Sequence, residues 1–109
     1  MMYEIIITEQ ADNDLRGIYE YIAFKLLAPD NALGQLNRLE KSIIALEQFP
    51  EKYRYYEKEP WHSRGLHVMP VDNYLVFYIT DKDMQTVTII RVMYDGRDTN
   101  EQLVKHTKI

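Results

Sequence analysis

The sequence predicts an α+β domain: a strand, an antiparallel helical hairpin, then a three-stranded antiparallel meander, with the helices packed on one face of the sheet. Three observations carry this. A β-branched run, YEIII at residues 3–7, opens the chain. Two stretches with apolar residues at steps of three and four follow, joined at LAPD. Three strand-like runs then succeed one another across turns short enough to force antiparallel neighbours. With 109 residues the chain supports one core, so residues 1–109 are expected to form a single domain.

In the first strand Tyr3, Ile5 and Ile7 share a face. Thr8 suits a helix cap, and Ala11, Leu15, Ile18, Ile22 and Leu26 form one helical stripe, predicting a helix over 9–27. Pro29 disfavours helical geometry at Ala28 but fits the first turn of a new helix, where Asp30 suits the positive end of the helix dipole. The second stripe is Ala32, Leu36, Leu39, Ile43 and Leu46, and Pro50 closes it after Phe49. Helices joined this tightly must fold back on each other. Residues 50–63, PEKYRYYEKEPWHS, show no clean period and are expected to form an ordered surface loop. The runs RGLHVMP (64–70), NYLVFYIT (73–80) and TVTIIRVMY (86–94) are the remaining strands.

Strict alternation in the last strand puts Thr88, Ile90, Val92 and Tyr94 on one face and Val87, Ile89, Arg91 and Met93 on the other. Arg91 thus ends an apolar row. Burying an unpaired guanidinium costs several kcal/mol, so Arg91 must find an acid, with Asp95 and Asp98 as the candidates, or emerge at the sheet edge.

Composition excludes several chemistries. The chain has no cysteine, hence no disulfide, thiolate nucleophile or cysteine metal site, and His62, His67 and His106 do not fall at ligand spacing. No metal or cofactor is expected. No apolar run approaches the roughly 18 residues that span a bilayer, and MMYEIIITEQ lacks the basic flank and cleavage site of a signal peptide, so a cytoplasmic protein without a membrane partner is expected. The net charge of −4 opposes a broad grip on nucleic acid, and the one basic cluster, Lys52, Arg54, Lys58 and Arg64, is diluted by Glu51, Glu57 and Glu59. Nine tyrosines are better suited to a protein interface.

Three strings in order, EIIITEQADNDLRGIYEYI, LEQFPEKY and RGLHVMPVDNYLVFYITDKDMQTVTIIRVMYDGRD, resemble the RelE/ParE superfamily of bacterial toxins over nearly the whole chain. The resemblance implies a toxin of a type II toxin-antitoxin operon, neutralised by a cognate antitoxin that also mediates operator DNA binding. ParE-like members inhibit DNA gyrase, whereas RelE-like members cut messenger RNA on the ribosome. RelE-like enzymes use lysines of the second strand, arginines of the third and fourth, and a tyrosine near the C-terminus. Three of these four elements are missing here: the second-strand lysine positions fall on His67 and Gly65, the third-strand arginine position on Tyr74, and the tyrosine position near Leu103. The ending IIRVMYDGRD resembles the ParE-like branch more closely, although Ile79 stands where that branch often has arginine.

The resemblance therefore implies a gyrase inhibitor, with a metal-independent endoribonuclease using His67, Arg91 and Arg97 as the alternative. Arg64, Tyr74, Arg91, Tyr94 and Arg97 are expected to meet the target, with Arg91, Tyr94 and Arg97 projecting from the strand end. Tyr19 and Trp61, as exposed aromatics, are expected to meet the antitoxin.

Overall fold

The computed structural model describes residues 2–96 and 98–107. Strand β1 (Glu4–Ile7) leads into α1 (Glu9–Glu20), a π-helical turn (Tyr21–Lys25) and α2 (Pro29–Ala45). Strands β2 (His67–Val71), β3 (Tyr74–Asp81) and β4 (Thr86–Tyr94) follow, and α3 (Thr99–His106) ends the described chain. The sheet order is β1-β4-β3-β2, with β1 parallel to β4 and the other pairs antiparallel. The expected α+β architecture is present, with one element the hydrophobic pattern does not announce, α3.

Thr8 caps α1 as expected: its hydroxyl accepts from Ala11 N at 3.1 Å and donates to Ile89 O at 2.8 Å, tying the helix start to β4. The stripe then slips. The chain must leave the helix before Pro29, and it does so through wide hydrogen-bonded loops, Leu26 N to Tyr21 O and Ala28 N to Ile22 O. A π-turn inserts one residue per turn, so later side chains rotate off the α-helical face. Ala23 consequently enters the core in place of Ile22, and the expected core residue Leu26 stands 56% exposed. In α2 the stripe holds, with Ala32, Leu39, Ile43 and Leu46 buried, but regular helix ends at Ala45 rather than Phe49.

The sheet is covered on both faces, with the helical hairpin on one of them as expected. The helical hairpin seals one side: Leu15, Leu39 and Ile43 pack against Val76, Tyr78 and Ile89. On the other side Tyr56, Trp61 and Leu66 of the irregular segment join Leu103 of α3 over Val68, Phe77 and Ile90. Residues 50–63 are therefore partly a lid with its own core residues, and not only a surface loop. Gly65, at φ +79, supplies the left-handed turn that swings this lid into β2.

The alternation expected for β4 is broken by a register shift. Phe77 pairs with Arg91 but Tyr78 pairs with Ile89, leaving Ile90 as the extra residue of a bulge. One inserted residue reverses the facing of everything beyond it. Val92 accordingly joins Val87 and Ile89 in the hairpin-side core, while Ile90 packs in the opposite one.

Candidate functional site

Strand β1 covers the edge of β4 only as far as the Ile7–Ile89 pair. Beyond it the bare edge is met by α1. Asp14 accepts from Val92 N at 2.9 Å, taking the place of a neighbouring strand, and binds the Arg91 guanidinium through two bonds, Nε to Oδ2 at 2.7 Å and Nη2 to Oδ1 at 2.9 Å. The remaining arm of Arg91 donates to His106 O and Thr107 Oγ1, both at 3.2 Å, so it also holds the carbonyl end of α3. Such two-pronged geometry is the strong form of the arginine–carboxylate pair. Arg91 is only 9% exposed. The expected ion pair exists, but its partner is Asp14, 77 positions away in sequence, and not Asp95 or Asp98. Arg91 does not project from the strand end with Tyr94; its side chain is committed inward.

Above this pair lies an open groove of about 760 Å³ between the hairpin and the end of the sheet. Gly17, Ile18 and Ile22 form one wall, and Tyr21, Tyr74 and Tyr94 gather around it. The rings of Tyr74 and Tyr94 meet edge to face, 5.8 Å between centroids at 82°. Burial, followed by the neighbouring phenols of Tyr94 and Tyr21, raises the Tyr74 pKa above its ordinary value. Tyr21 and Tyr94 remain more than half exposed, as do Phe24 and Leu27 at the hairpin tip. The polar lining consists of Asn13, Asp14, Gln35 and Asn73, with no lysine, arginine or histidine among the lining residues. Gln35 turns to the β2–β3 connection, donating to Asp72 at 3.0 Å beside Arg38 at 2.7 Å, and these bonds, that of Arg38 first, hold the Asp72 carboxyl below its usual range.

The other expected site residues scatter. His67 is 2% exposed and lies between the rings of Tyr55 and Tyr78, with centroids at 4.2 and 4.9 Å. Its Nδ1 donates to the Tyr53 carbonyl at 2.9 Å, and its buried Nε2 has no partner among the described residues. Trp61, expected to be exposed, is 3% exposed; it fills the lid's core, with Arg64 stacked over its ring at 5.2 Å. Arg64 is exposed beside that lid, whereas Tyr74 and Tyr94 line the groove under the hairpin. Tyr19 is half-buried in a shallow crease beside Leu15 and Leu36. Leu103, at the position of the expected C-terminal tyrosine, is fully buried. Arg97 lies outside the described residues. No group of three or more histidines and carboxylates able to hold a metal occurs among the described residues, and no described helix is long and apolar enough to cross a membrane.

Sequence reasoning missed Asp14, Tyr21 and Gln35. A signal for two of them was present: Asp14 interrupts the stripe Ala11–Leu15–Ile18 and Gln35 the stripe Ala32–Leu36–Leu39 at the same relative place. Each is a polar residue on a core-facing row, and each is used to tie its helix to the sheet.

Comparison with known proteins decides what carries this groove. The family model of the ParE toxin of type II toxin-antitoxin systems, parDE, matches residues 5–99. The chain belongs to the ParE toxin family. It is thus a toxin of a type II toxin-antitoxin system within the RelE/ParE superfamily. Among solved structures, the toxin resembles the chromosomal ParDE system of Pseudomonas aeruginosa at TM-score 0.71 and 18% identity, over 87% of this chain and 98% of that one. It also resembles the toxin-antitoxin complex RelBE2 of Mycobacterium tuberculosis at 0.62 and 20%, over 86% and 99%. Free Escherichia coli RelE, in mutant form, matches at 0.63 and 15%, over 96% and 97%. At these identities the likeness concerns the fold. No curated protein sequence matches the chain.

Proposed function

We propose that the toxin arrests growth by binding and inhibiting DNA gyrase, without nuclease activity, and is neutralised by a cognate antitoxin that occupies the groove beneath the hairpin. The observation carrying this reading is the enclosure of His67 between two tyrosine rings, together with the pairing of Arg91 with Asp14. Metal-free RNA cleavage needs a base that reaches the ribose hydroxyl and a cation that reaches the phosphate. A base withdrawn behind Tyr55 and a guanidinium spent on a carboxylate supply neither. Membership of the ParE family supports the same choice.

On this reading the target meets the strand end at Tyr94, with Tyr74 beside it, and Arg97, three positions on in sequence, supplies a charge to the same contact. An antitoxin segment in the groove covers Tyr74 and Tyr94 and so competes with the target directly. Operator binding then belongs to the antitoxin and not to this acidic chain. The P. aeruginosa and M. tuberculosis structures, both described as toxin-antitoxin systems, support an antitoxin partner.

The test is a pair of assays on the purified toxin. With gyrase and relaxed plasmid, supercoiling should be inhibited in proportion to toxin concentration. With translating ribosomes and a defined message, no toxin-dependent cleavage should appear. Cleaved message with unaffected gyrase would overturn the proposal and restore the ribonuclease alternative.

A further inference from the structure

The chemistry of the groove says more about its occupant than that it is a protein. Tyr21, Tyr74 and Tyr94 bring three aromatic rings to one opening, and Asn13 and Asn73 add neutral amides to its lining. Two of the described cations beside it are already paired. Arg91 is bound by Asp14, and Arg38 by Asp72 at 2.7 Å. A wall of electron-rich rings and neutral amides, with no cation among its lining residues, in a chain of net charge −4, disfavours phosphate and carboxylate and favours a positive group. Guanidinium suits it better than ammonium, because its planar face stacks on tyrosine while its edge donates to amide oxygens.

We propose, building on the antitoxin reading, that the groove receives an arginine side chain of the antitoxin. It stacks among Tyr21, Tyr74 and Tyr94 and hydrogen-bonds to the side-chain amides, with the antitoxin's flanking apolar residues lying on Ile18, Ile22 and Leu26. The exposed Leu26, which the π-turn rotated out of the core, becomes part of the docking surface. Arginine is thereby an anchor that the groove selects, and a polyanion is excluded from the same place.

The probe is N-acetyl-arginine methylamide, titrated into isotopically labelled toxin and followed by NMR, with the citrulline analogue and inorganic phosphate as controls. Citrulline keeps the shape and loses the charge. The arginine probe should shift the amides of Asn13, Asn73, Tyr74 and Tyr94 and bind at least about five-fold more tightly than citrulline, within the range of a cation–π contact. Phosphate should leave those amides unmoved. Tyr94→Ala, at a position 63% exposed and therefore tolerant of truncation, should erase the preference. Equal response to arginine and citrulline, or displacement by phosphate, overturns the inference. Mixing the toxin with the protein encoded beside its gene separates the two levels. Capture that is unaffected by Tyr94→Ala sinks the arginine anchor alone, whereas no capture at all sinks the antitoxin reading beneath it.

Discussion

The two faces of the sheet are closed by different means. The hairpin face is covered by regular helices whose apolar residues recur every three or four positions, and it leaves a groove at one end. The opposite face is covered by an irregular lid and an eight-residue helix, and its core contains Tyr56, Trp61 and Leu103 at no common period. The first face carries the groove proposed above for the antitoxin; the second is closed by a core of its own. Arg91 joins the two, since its guanidinium is held by α1 of one layer and itself holds the end of α3 of the other. A strand's only arginine thus serves as a bolt through the sheet edge.

The severest way to break this arrangement is Asp14→Ala. It strands a guanidinium that is about nine-tenths buried and removes the acceptor of Val92 N, so the loss should be about 3–5 kcal/mol. Denaturant unfolding of wild type and variant measures it. If both layers hang on the pair, hydrogen exchange in α3 should rise along with that in α1. A variant within about 1 kcal/mol of wild type would show that the bolt carries no load.

Whether the lid is as firmly packed as the hairpin is tested by Ile43→Ala against Leu103→Ala. Both side chains are almost wholly buried, one in each core, and each truncation should cost about 3 kcal/mol through lost burial and a residual cavity. Similar losses mean two true cores. A cost below about 1 kcal/mol for Leu103 alone would mean that α3 is draped over the sheet and the comparison is lopsided.

That asymmetry also explains what could be read in advance. The hairpin, the meander and the cap at Thr8 were legible because helix and strand periods are properties of neighbours in sequence. The π-turn was not, since nothing in YIAFK distinguishes it from ordinary helix; the demand comes from Pro29 downstream. The bulge at Ile90 was invisible for a related reason, as it is a mismatch between two strands and not a feature of one. For Arg91 the need for an acid was legible, but its identity was not. Asp95 and Asp98 were close in sequence, whereas Asp14 is close only once β1 runs parallel to β4 and ends at Ile7. The expectation of an exposed Trp61 failed because a proline-rich, charged stretch gives no sign of which residues turn inward.

A smaller effect sharpens the comparison through pH. Burial raises the pKa of the Tyr78 phenol well above 10.0, and its hydroxyl donates to Pro50 O at 2.7 Å. The folded state keeps this phenol neutral where the unfolded chain ionises it. Its contribution is therefore complete below about pH 10 and is lost as pH rises beyond that. Tyr78→Phe should cost about 1–2 kcal/mol near neutrality by leaving the Pro50 carbonyl without its donor. The same variant should show a shallower decline of stability above about pH 10 than wild type. An unchanged alkaline limb would mean that other tyrosines, such as Tyr56 with its raised pKa on the lid face, dominate it.

The smallest stability change is expected at Arg64, and it bears most directly on which face meets the target. Arg64 is exposed and lies over the Trp61 ring at 5.2 Å, an arrangement worth roughly 0.5–1 kcal/mol at the surface. Arg64→Gln removes the charge from the lid and leaves the groove, the bolt and both cores intact. The sequence placed Arg64 with Tyr74 and Tyr94 in one target-binding set, but the structure puts it beside the lid and the tyrosines under the hairpin. A rigid partner engaging the strand end through Tyr94 need not touch it. Induction of the Arg64→Gln toxin should then arrest growth as strongly as wild type, while Tyr94→Ala, with equal expression and an unchanged melting temperature, should not. If Arg64→Gln abolishes arrest and Tyr94→Ala preserves it, the lid is the working face and the groove serves the antitoxin alone.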